Sequence, residues 1–188
     1  MHMHPPFRIA LAFAVVLLSG CAGGRHGRHQ NQQDMLELPA GVPAALRVQP
    51  GQVLTLVAKA TGVQIYECGV SSGDAARYQW IFKAPEASLS TPHGKSLGKH
   101  YAGPSWEAED GSKVVARVKA SDAEHDPSSI PWLLLNATAN SGPGVFAHTT
   151  SVQRLFTVSG KAPVDGCDQV HLGAQARVTY SAQYYFYD

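Results

Sequence analysis

The chain has 188 residues and is almost electrically neutral, with 15 lysine and arginine residues against 14 aspartate and glutamate residues. A nucleic-acid-binding surface needs a basic stripe, and an acidic interaction tail needs a run of carboxylates. The chain has neither, so we expect no nucleic-acid partner. Once a short leader is set aside, the remainder has the usual size of a single domain.

The N-terminus has the three parts of a bacterial signal peptide. Arg8 supplies a positive charge, and residues 9–18 (IALAFAVVLL) form an apolar run that is too short to span a bilayer. The tetrapeptide LSGC at residues 18–21 is typical of a lipoprotein signal. We therefore expect a signal peptide over residues 1–20 and lipidation of Cys21. The alternatives are a cleaved signal with an incidental cysteine, or an uncleaved anchor.

The residues after Cys21 predict an anchored but flexible start of the mature protein. Alanine, not aspartate, follows the cysteine, which by the usual sorting rule indicates the outer membrane of the bacterial envelope. Residues 21–41 contain few apolar side chains and cannot bury enough surface to fold alone, so we expect a lipid-anchored tether. His26 and His29 could bind a metal, but the simpler interpretation, which we prefer, is a polar spacer.

Residues 42–188 predict a β-rich domain. Short runs of β-branched and aromatic residues alternate with Gly, Pro, Asp and Ser, and few stretches show helical periodicity. The predicted strand regions are residues 53–58, 63–68, 78–83, 106–119, 130–135, 149–158 and 175–187. We expect an all-β, single-domain antiparallel sandwich or barrel with at most short helices, near residues 85–87 or 121–125.

Local patterns predict some details of this domain. Thr61-Gly62 between two strand regions indicates a hairpin, and Asp110-Gly111 indicates a tight turn. Residues 130–135 (IPWLLL) are continuously apolar and should be buried on both sides. In the last strand, the alternation over residues 175–187 predicts one shared face, formed by Val178, Tyr180, Ala182, Tyr184 and Phe186.

Two cysteines remain once Cys21 is assigned to lipid. Cys68 and Cys167 form an even pair in an oxidising compartment, which favours one disulfide. A metal or redox role is the alternative, but the chain has no C-x-x-C motif and no cysteine cluster.

The usual catalytic motifs are absent from the sequence. We find no G-x-S-x-G, H-E-x-x-H or phosphate-loop pattern, and the five histidines after residue 42 show no metal-ligand spacing. We therefore expect no metal and no cofactor. A secreted hydrolase or metal-dependent enzyme that uses His100 with Asp110 or Glu107 stays open, because such sites are recognised by geometry and not by sequence order.

The densest polar and aromatic segment is residues 98–112. Aromatic faces beside a few polar groups suit a small polar ligand or a sugar ring. Gln153 and Arg154 place an amide and a guanidinium between apolar residues of one predicted strand, where Arg154 could bind a carboxylate or pair with Asp168. The candidate ligand-binding residues are His100, Tyr101, Trp106, Asp110, Trp132 and Arg154. The alternative is structural, with a buried tryptophan and turn residues.

Several segments, taken in order, resemble an uncharacterised secreted family of bacteria and fungi, domain of unknown function 3455. They are residues 64–68 (QIYEC), 80–87 (WIFKAPEA), 98–106, 110–112 (DGS), 130–135, 153–154, Thr157, 162–163, 166–168 (GCD) and 180–187. The resemblance extends over about residues 42–187. It implies a secreted β-rich domain, and it brings no activity, ligand or catalytic residue.

The leading hypothesis is a cell-envelope lipoprotein attached to the membrane through Cys21. Its domain would be non-enzymatic and would bind a small molecule, a glycan or an envelope protein. The alternatives are the enzyme that uses His100 and a purely structural envelope component.

Overall fold

The structure is a computed structural model that describes residues 1–2, 36 and 38–188. The chain divides into two units, Met1–Asp34 and Met35–Asp188, and all the strands named below belong to the second. The predicted signal peptide, Cys21 and most of the predicted tether lie outside the described residues. Among the described residues, no helix has the length and apolar character needed to cross a membrane.

Eight antiparallel strands form one closed barrel. They are β1 (Leu54–Ser71), β2 (Asp74–Ser90), β3 (Ser96–Tyr101), β4 (Ser105–Ala108), β5 (Lys113–Asp122), β6 (Trp132–Ser141), β7 (Ser151–Ser159) and β8 (Gln175–Tyr187). Each strand pairs with the next, and β8 pairs with β1 to close the ring. The all-β prediction is confirmed, and of its two forms the barrel is correct. Closure gives every strand two neighbours and leaves no edge strand unpaired.

The predicted hairpin at Thr61-Gly62 is wrong, because β1 runs through both residues without a turn. Gly62 serves a different purpose there. A Cβ atom at Gly62 would lie 2.1 Å from the carbonyl oxygen of Glu86 in β2. A glycine inside a strand often marks such a close approach of a second backbone.

Neither predicted helix is present. Residues 85–87 belong to β2, and residues 121–125 cover the end of β5 and the bend that follows it. The helical element within residues 38–188 is a single 3₁₀ turn, Ala44–Leu46. The predicted turn at Asp110-Gly111 does connect two strands, β4 and β5, and Gly111 has the positive φ of 84° that favours glycine there.

The inner face of the barrel carries the main hydrophobic core. Trp106, Tyr184 and Phe186 form its aromatic centre, and small side chains such as Ala58 and Ala182 make room for them. On the predicted shared face of β8, Tyr180, Ala182, Tyr184 and Phe186 are buried in this core, and Val178 is half-buried.

A second, smaller core lies on the outer face. Trp132 and Leu134 of β6 pack there with Leu46 of the N-terminal segment, whereas Leu133 and Leu135 face the inner core. The Gln153 Nε2 group donates a hydrogen bond of 2.6 Å to the Leu46 carbonyl oxygen. This covering segment explains why the strand is apolar on both faces, as predicted.

The predicted disulfide between Cys68 and Cys167 is confirmed, with Cα atoms 5.3 Å apart. It joins β1 to the loop of residues 160–174, which connects β7 to β8. Backbone hydrogen bonds reinforce the contact: the Cys68 N–H donates to the Ala174 carbonyl at 2.8 Å, and the Gly173 N–H donates to the Cys68 carbonyl at 2.9 Å. The Trp80 indole N–H also donates to the Asp165 carbonyl at 2.9 Å.

Candidate functional site

The barrel contains a cavity of about 550 Å³ that opens to solvent. Its walls are mostly apolar and aromatic, with a few polar side chains. The lining residues are Gln64, Tyr66, Phe82, Lys83, Pro85, His100, Ala102, Gly103, Pro104, Trp106, Val118, Ile130, Pro131, Leu133, Leu135, Arg154 and Tyr184. The volume lies within the range of small-molecule sites, and the wall composition is typical of them.

Three aromatic rings pack together at the buried end of the site. The His100 and Trp106 rings stack with centroids 4.6 Å apart, and the Tyr184 ring lies 5.0 Å from His100 and 5.2 Å from Trp106. Strand pairing produces this arrangement, because His100 of β3 lies directly opposite Trp106 of β4. Directly opposed residues of antiparallel strands point to the same face of the sheet.

His100 is buried and neutral. Its Nδ1–H donates a hydrogen bond of 2.8 Å to the Ser105 carbonyl oxygen, which can only accept. Burial lowers the pKa of His100 to about 4; the hydrogen bond to Ser105 opposes this change, and the charge of Arg154 adds to it. At neutral pH, His100 therefore keeps Nε2 as an unprotonated acceptor.

Arg154 is half-buried at the site and is fixed through a backbone carbonyl. Its Nε and Nη2 groups donate hydrogen bonds of 3.1 and 2.8 Å to the Pro131 carbonyl oxygen. Within residues 38–188, no carboxylate forms an ion pair with it. The suggested pairing with Asp168 does not occur, because the Asp168 carboxylate accepts from the His171 ring at 2.8 Å.

Four buried polar atoms in this region make no hydrogen bond of standard geometry with another described residue, although the Tyr180 hydroxyl lies close to Gln64 and Tyr184, and the Tyr184 hydroxyl lies close to Arg154. They are Gln64 Nε2, Trp106 Nε1, the Tyr180 hydroxyl and the Tyr184 hydroxyl. Three of the four belong to residues that line the cavity. Burial raises the pKa of Tyr184, and the charge of Arg154 acts against that change. Buried polar atoms are rarely left without partners, since each costs about 1–3 kcal/mol.

The other sequence-predicted site residues lie away from the cavity lining. The Tyr101 hydroxyl donates to Glu107 at 2.6 Å, and Glu107 also forms an ion pair with Lys99 at 3.1 Å. These residues alternate with His100 and Trp106 along β3 and β4, so they lie on the opposite face. Trp132 belongs to the outer core, where its ring centroid lies 3.5 Å from that of His125.

Asp110 has a structural position at the β4–β5 turn. Its carboxylate accepts hydrogen bonds from the Ser112 hydroxyl at 2.6 Å and from the Val145 backbone N–H at 2.9 Å. These bonds, the one from the Ser112 hydroxyl first, lower the pKa of Asp110. The structure therefore brings neither Asp110 nor Glu107 into contact with His100. Among the described residues, no group of three or more His, Cys, Asp or Glu side chains could hold a metal ion.

Several cavity residues carry no functional signal in the sequence. Gln64 and Tyr66 come from β1, Leu133 and Leu135 from β6, and Tyr184 from β8. The alternation in β8 had already placed Tyr184 on the core face. Along β5, Val114 and Ala116 are buried, whereas Val118 is 52% exposed and lines the cavity.

Eight antiparallel strands closed around a solvent-accessible cavity define a small single-barrel protein. The chain belongs to the family described as Protein of unknown function (DUF3455), whose model matches residues 88–188. The matched range is shorter than the range of the motif resemblance, but it includes His100, Trp106, Arg154 and Tyr184. A search of curated proteins and a search of solved structures each found no match.

Proposed function

We propose that this protein binds a small, largely apolar molecule inside its barrel and does not act as an enzyme. The observation that carries the proposal is the cavity of about 550 Å³, with aromatic and aliphatic walls and buried polar atoms that have no partner. Eight strands give a barrel whose interior can either be filled by side chains or hold one small ligand. A ligand that accepted hydrogen bonds from these donors would remove part of the cost of burying them.

The chemistry of the lining supports binding over catalysis. Among the described residues that line the cavity there is no serine, threonine, cysteine or carboxylate. Nucleophilic catalysis by a serine, threonine or cysteine needs that side chain within hydrogen-bond reach of a base such as His100. The contacts of His100 are instead with a backbone carbonyl and two aromatic rings.

Filling the cavity with a larger side chain tests the proposal. Val118→Trp places an indole at a lining position that is 52% exposed, so it should obstruct the cavity at little cost to folding. We expect the affinity for the neutral fluorescent probe N-phenyl-1-naphthylamine to fall by a factor of about ten, equivalent to about 1.4 kcal/mol. Fluorescence titration with excitation above the tryptophan band measures this change.

Val158→Trp is the matched control. Val158 is 60% exposed and does not line the cavity, so this variant should bind the probe within about twofold of the parent protein. Equal weakening by both substitutions would contradict the proposal. So would a failure of the folded parent protein to bind the probe.

We further propose that the domain works at the bacterial cell envelope, anchored through lipid on Cys21. The LSGC pattern at residues 18–21 supports this location, and Cys21 lies outside the described residues. Mass spectrometry of the protein purified from its native membrane should find residues 1–20 removed and an acylated Cys21 at the N-terminus. An intact Met1 or an unmodified Cys21 would overturn the proposed anchor.

A further inference from the structure

We infer that the cavity selects an amphipathic monoanion, with the anionic group bound by Arg154 and the apolar part held by the barrel walls. This inference rests on the proposed function and specifies the chemical class of its ligand. A carboxylate or a sulfonate attached to an aliphatic or aromatic body has the required chemistry.

The charges of the lining favour an anion. The cavity has two cationic lining residues, Lys83 and Arg154, and no acidic lining residue among the described ones. Lys83 is already paired, because its Nζ atom lies 3.3 Å from the Glu67 carboxylate. Arg154 has no such partner within residues 38–188. A half-buried cation without a counter-charge is costly, and a bound anion would compensate it.

The position of Arg154 suits direct contact with a ligand. In β7 it lies opposite Leu133 of β6 and Tyr184 of β8, and both of these residues line the cavity. Cross-strand neighbours share a face of the sheet, so the guanidinium group belongs to the same inner surface. The two bonds to the Pro131 carbonyl hold it in place and use two of its five N–H donors, which leaves further donors for an anion.

The groups around Arg154 favour a ligand that has one negative charge and an apolar body. The Trp106 indole N–H is a further donor without a partner among the described residues, and the Tyr184 hydroxyl lies beside Arg154. His100 is neutral at pH 7 and adds no second positive charge. Leu133, Leu135 and Ile130 supply aliphatic wall, which a small hydrophilic anion would leave uncovered.

A matched pair of probes separates charge recognition from cavity binding. 8-Anilinonaphthalene-1-sulfonate has the aromatic skeleton of N-phenyl-1-naphthylamine with a sulfonate added. In the full chain carrying Cys21→Ser, we expect Arg154→Gln to weaken binding of the sulfonate probe by about tenfold or more. Binding of the neutral probe should stay within about twofold, because Arg154 supplies charge and donors and little wall.

Arg177→Gln is the matched control variant. Arg177 forms an ion pair with Glu86 at 2.9 Å and does not line the cavity, so its loss should leave the affinities for both probes unchanged. If Arg154→Gln weakens the binding of both probes, or of neither, the inference about the anion is overturned. Either outcome leaves the proposed binding function intact if the parent protein binds the neutral probe and Val118→Trp weakens that binding. A folded parent protein that binds neither probe overturns both proposals.

A second measurement needs no substitution at Arg154 and so does not depend on the variant's folding. In arginine-selective ¹H–¹⁵N spectra of the parent protein, saturating decanoate should shift the Arg154 Nε–H resonance. The uncharged analogue decanol should leave that resonance nearly unchanged while it displaces the neutral probe. An Arg154 resonance that is unaffected by decanoate would overturn the inference.

Discussion

Replacing Cys68 and Cys167 together by serine is expected to lower the free energy of unfolding by about 4–5 kcal/mol. The disulfide joins residues that are 99 positions apart, so it closes a long loop in the unfolded chain. In the chain-entropy account, a longer closed loop restricts the unfolded ensemble more strongly. Denaturant unfolding under non-reducing conditions, with Cys21→Ser as the common background, measures the difference.

The same loss should appear when the parent protein is unfolded in the presence of a reductant. A free-thiol assay on denatured, unreduced protein should find no reactive thiol in the Cys21→Ser background. Two reactive thiols would show that the bond does not form in solution. A loss below about 1 kcal/mol in the serine variant would contradict the entropic argument, since a sequence separation of 99 predicts a loss several times larger.

The periodic strands could be predicted from sequence because their signal is local. The last predicted strand, residues 175–187, has the same bounds in the structure, Gln175–Tyr187. The prediction of a hairpin at Thr61-Gly62 is wrong because the cause of this glycine is not local. The glycine at position 62 is required by the close backbone of Glu86 and Ala87, which a local pattern does not contain.

The candidate site could be predicted only in part. The side-chain chemistry of His100, Trp106 and Arg154 predicts a binding site, and all three line the cavity. Tyr101 and Asp110 are close to His100 in sequence, but alternation in β3 and the turn after β4 place them away from the cavity. Leu133 and Tyr184 meet at Arg154 only through the pairing of β6, β7 and β8, which is long-range information.

The closed barrel explains why one pocket combines such distant segments. Residues of β1, β3, β4, β6, β7 and β8 face the same interior, so an apolar wall, a fixed cation and a buried imidazole converge from many parts of the chain. The buried imidazole has a consequence for stability that depends on pH.

The free energy of unfolding is expected to fall by about 3 kcal/mol between pH 6.5 and pH 4 because of His100 alone. The folded structure lowers the pKa of this histidine from 6.5 to about 4, mainly by burial. The unfolded chain therefore takes up a proton at a higher pH than the folded chain. The contribution of His100 is fully present above pH 6.5 and is lost as the pH falls through this window.

Replacing His100 with phenylalanine should remove this pH dependence. Phenylalanine preserves a planar ring against Trp106 and cannot take up a proton; the lost hydrogen bond to Ser105 lowers stability by a constant amount at every pH. The slope of the unfolding free energy against pH, measured by urea titration, therefore distinguishes the two effects. His148→Phe, at an exposed position, is the matched control and should keep the slope of the parent protein.

If the unfolding free energy had the same slope against pH in the parent protein and in His100→Phe, the pH dependence could not be assigned to His100. The carboxylates whose pKa is lowered in the folded protein act in a more acidic window. Hydrogen bonds from Ser129 and Ser128 lower the pKa of Asp126 from 3.8 to about 2, so its contribution is lost only as the pH falls from about 4 towards 2. A loss of stability centred between pH 6.5 and 4 that disappears with His100 thus belongs to the buried imidazole.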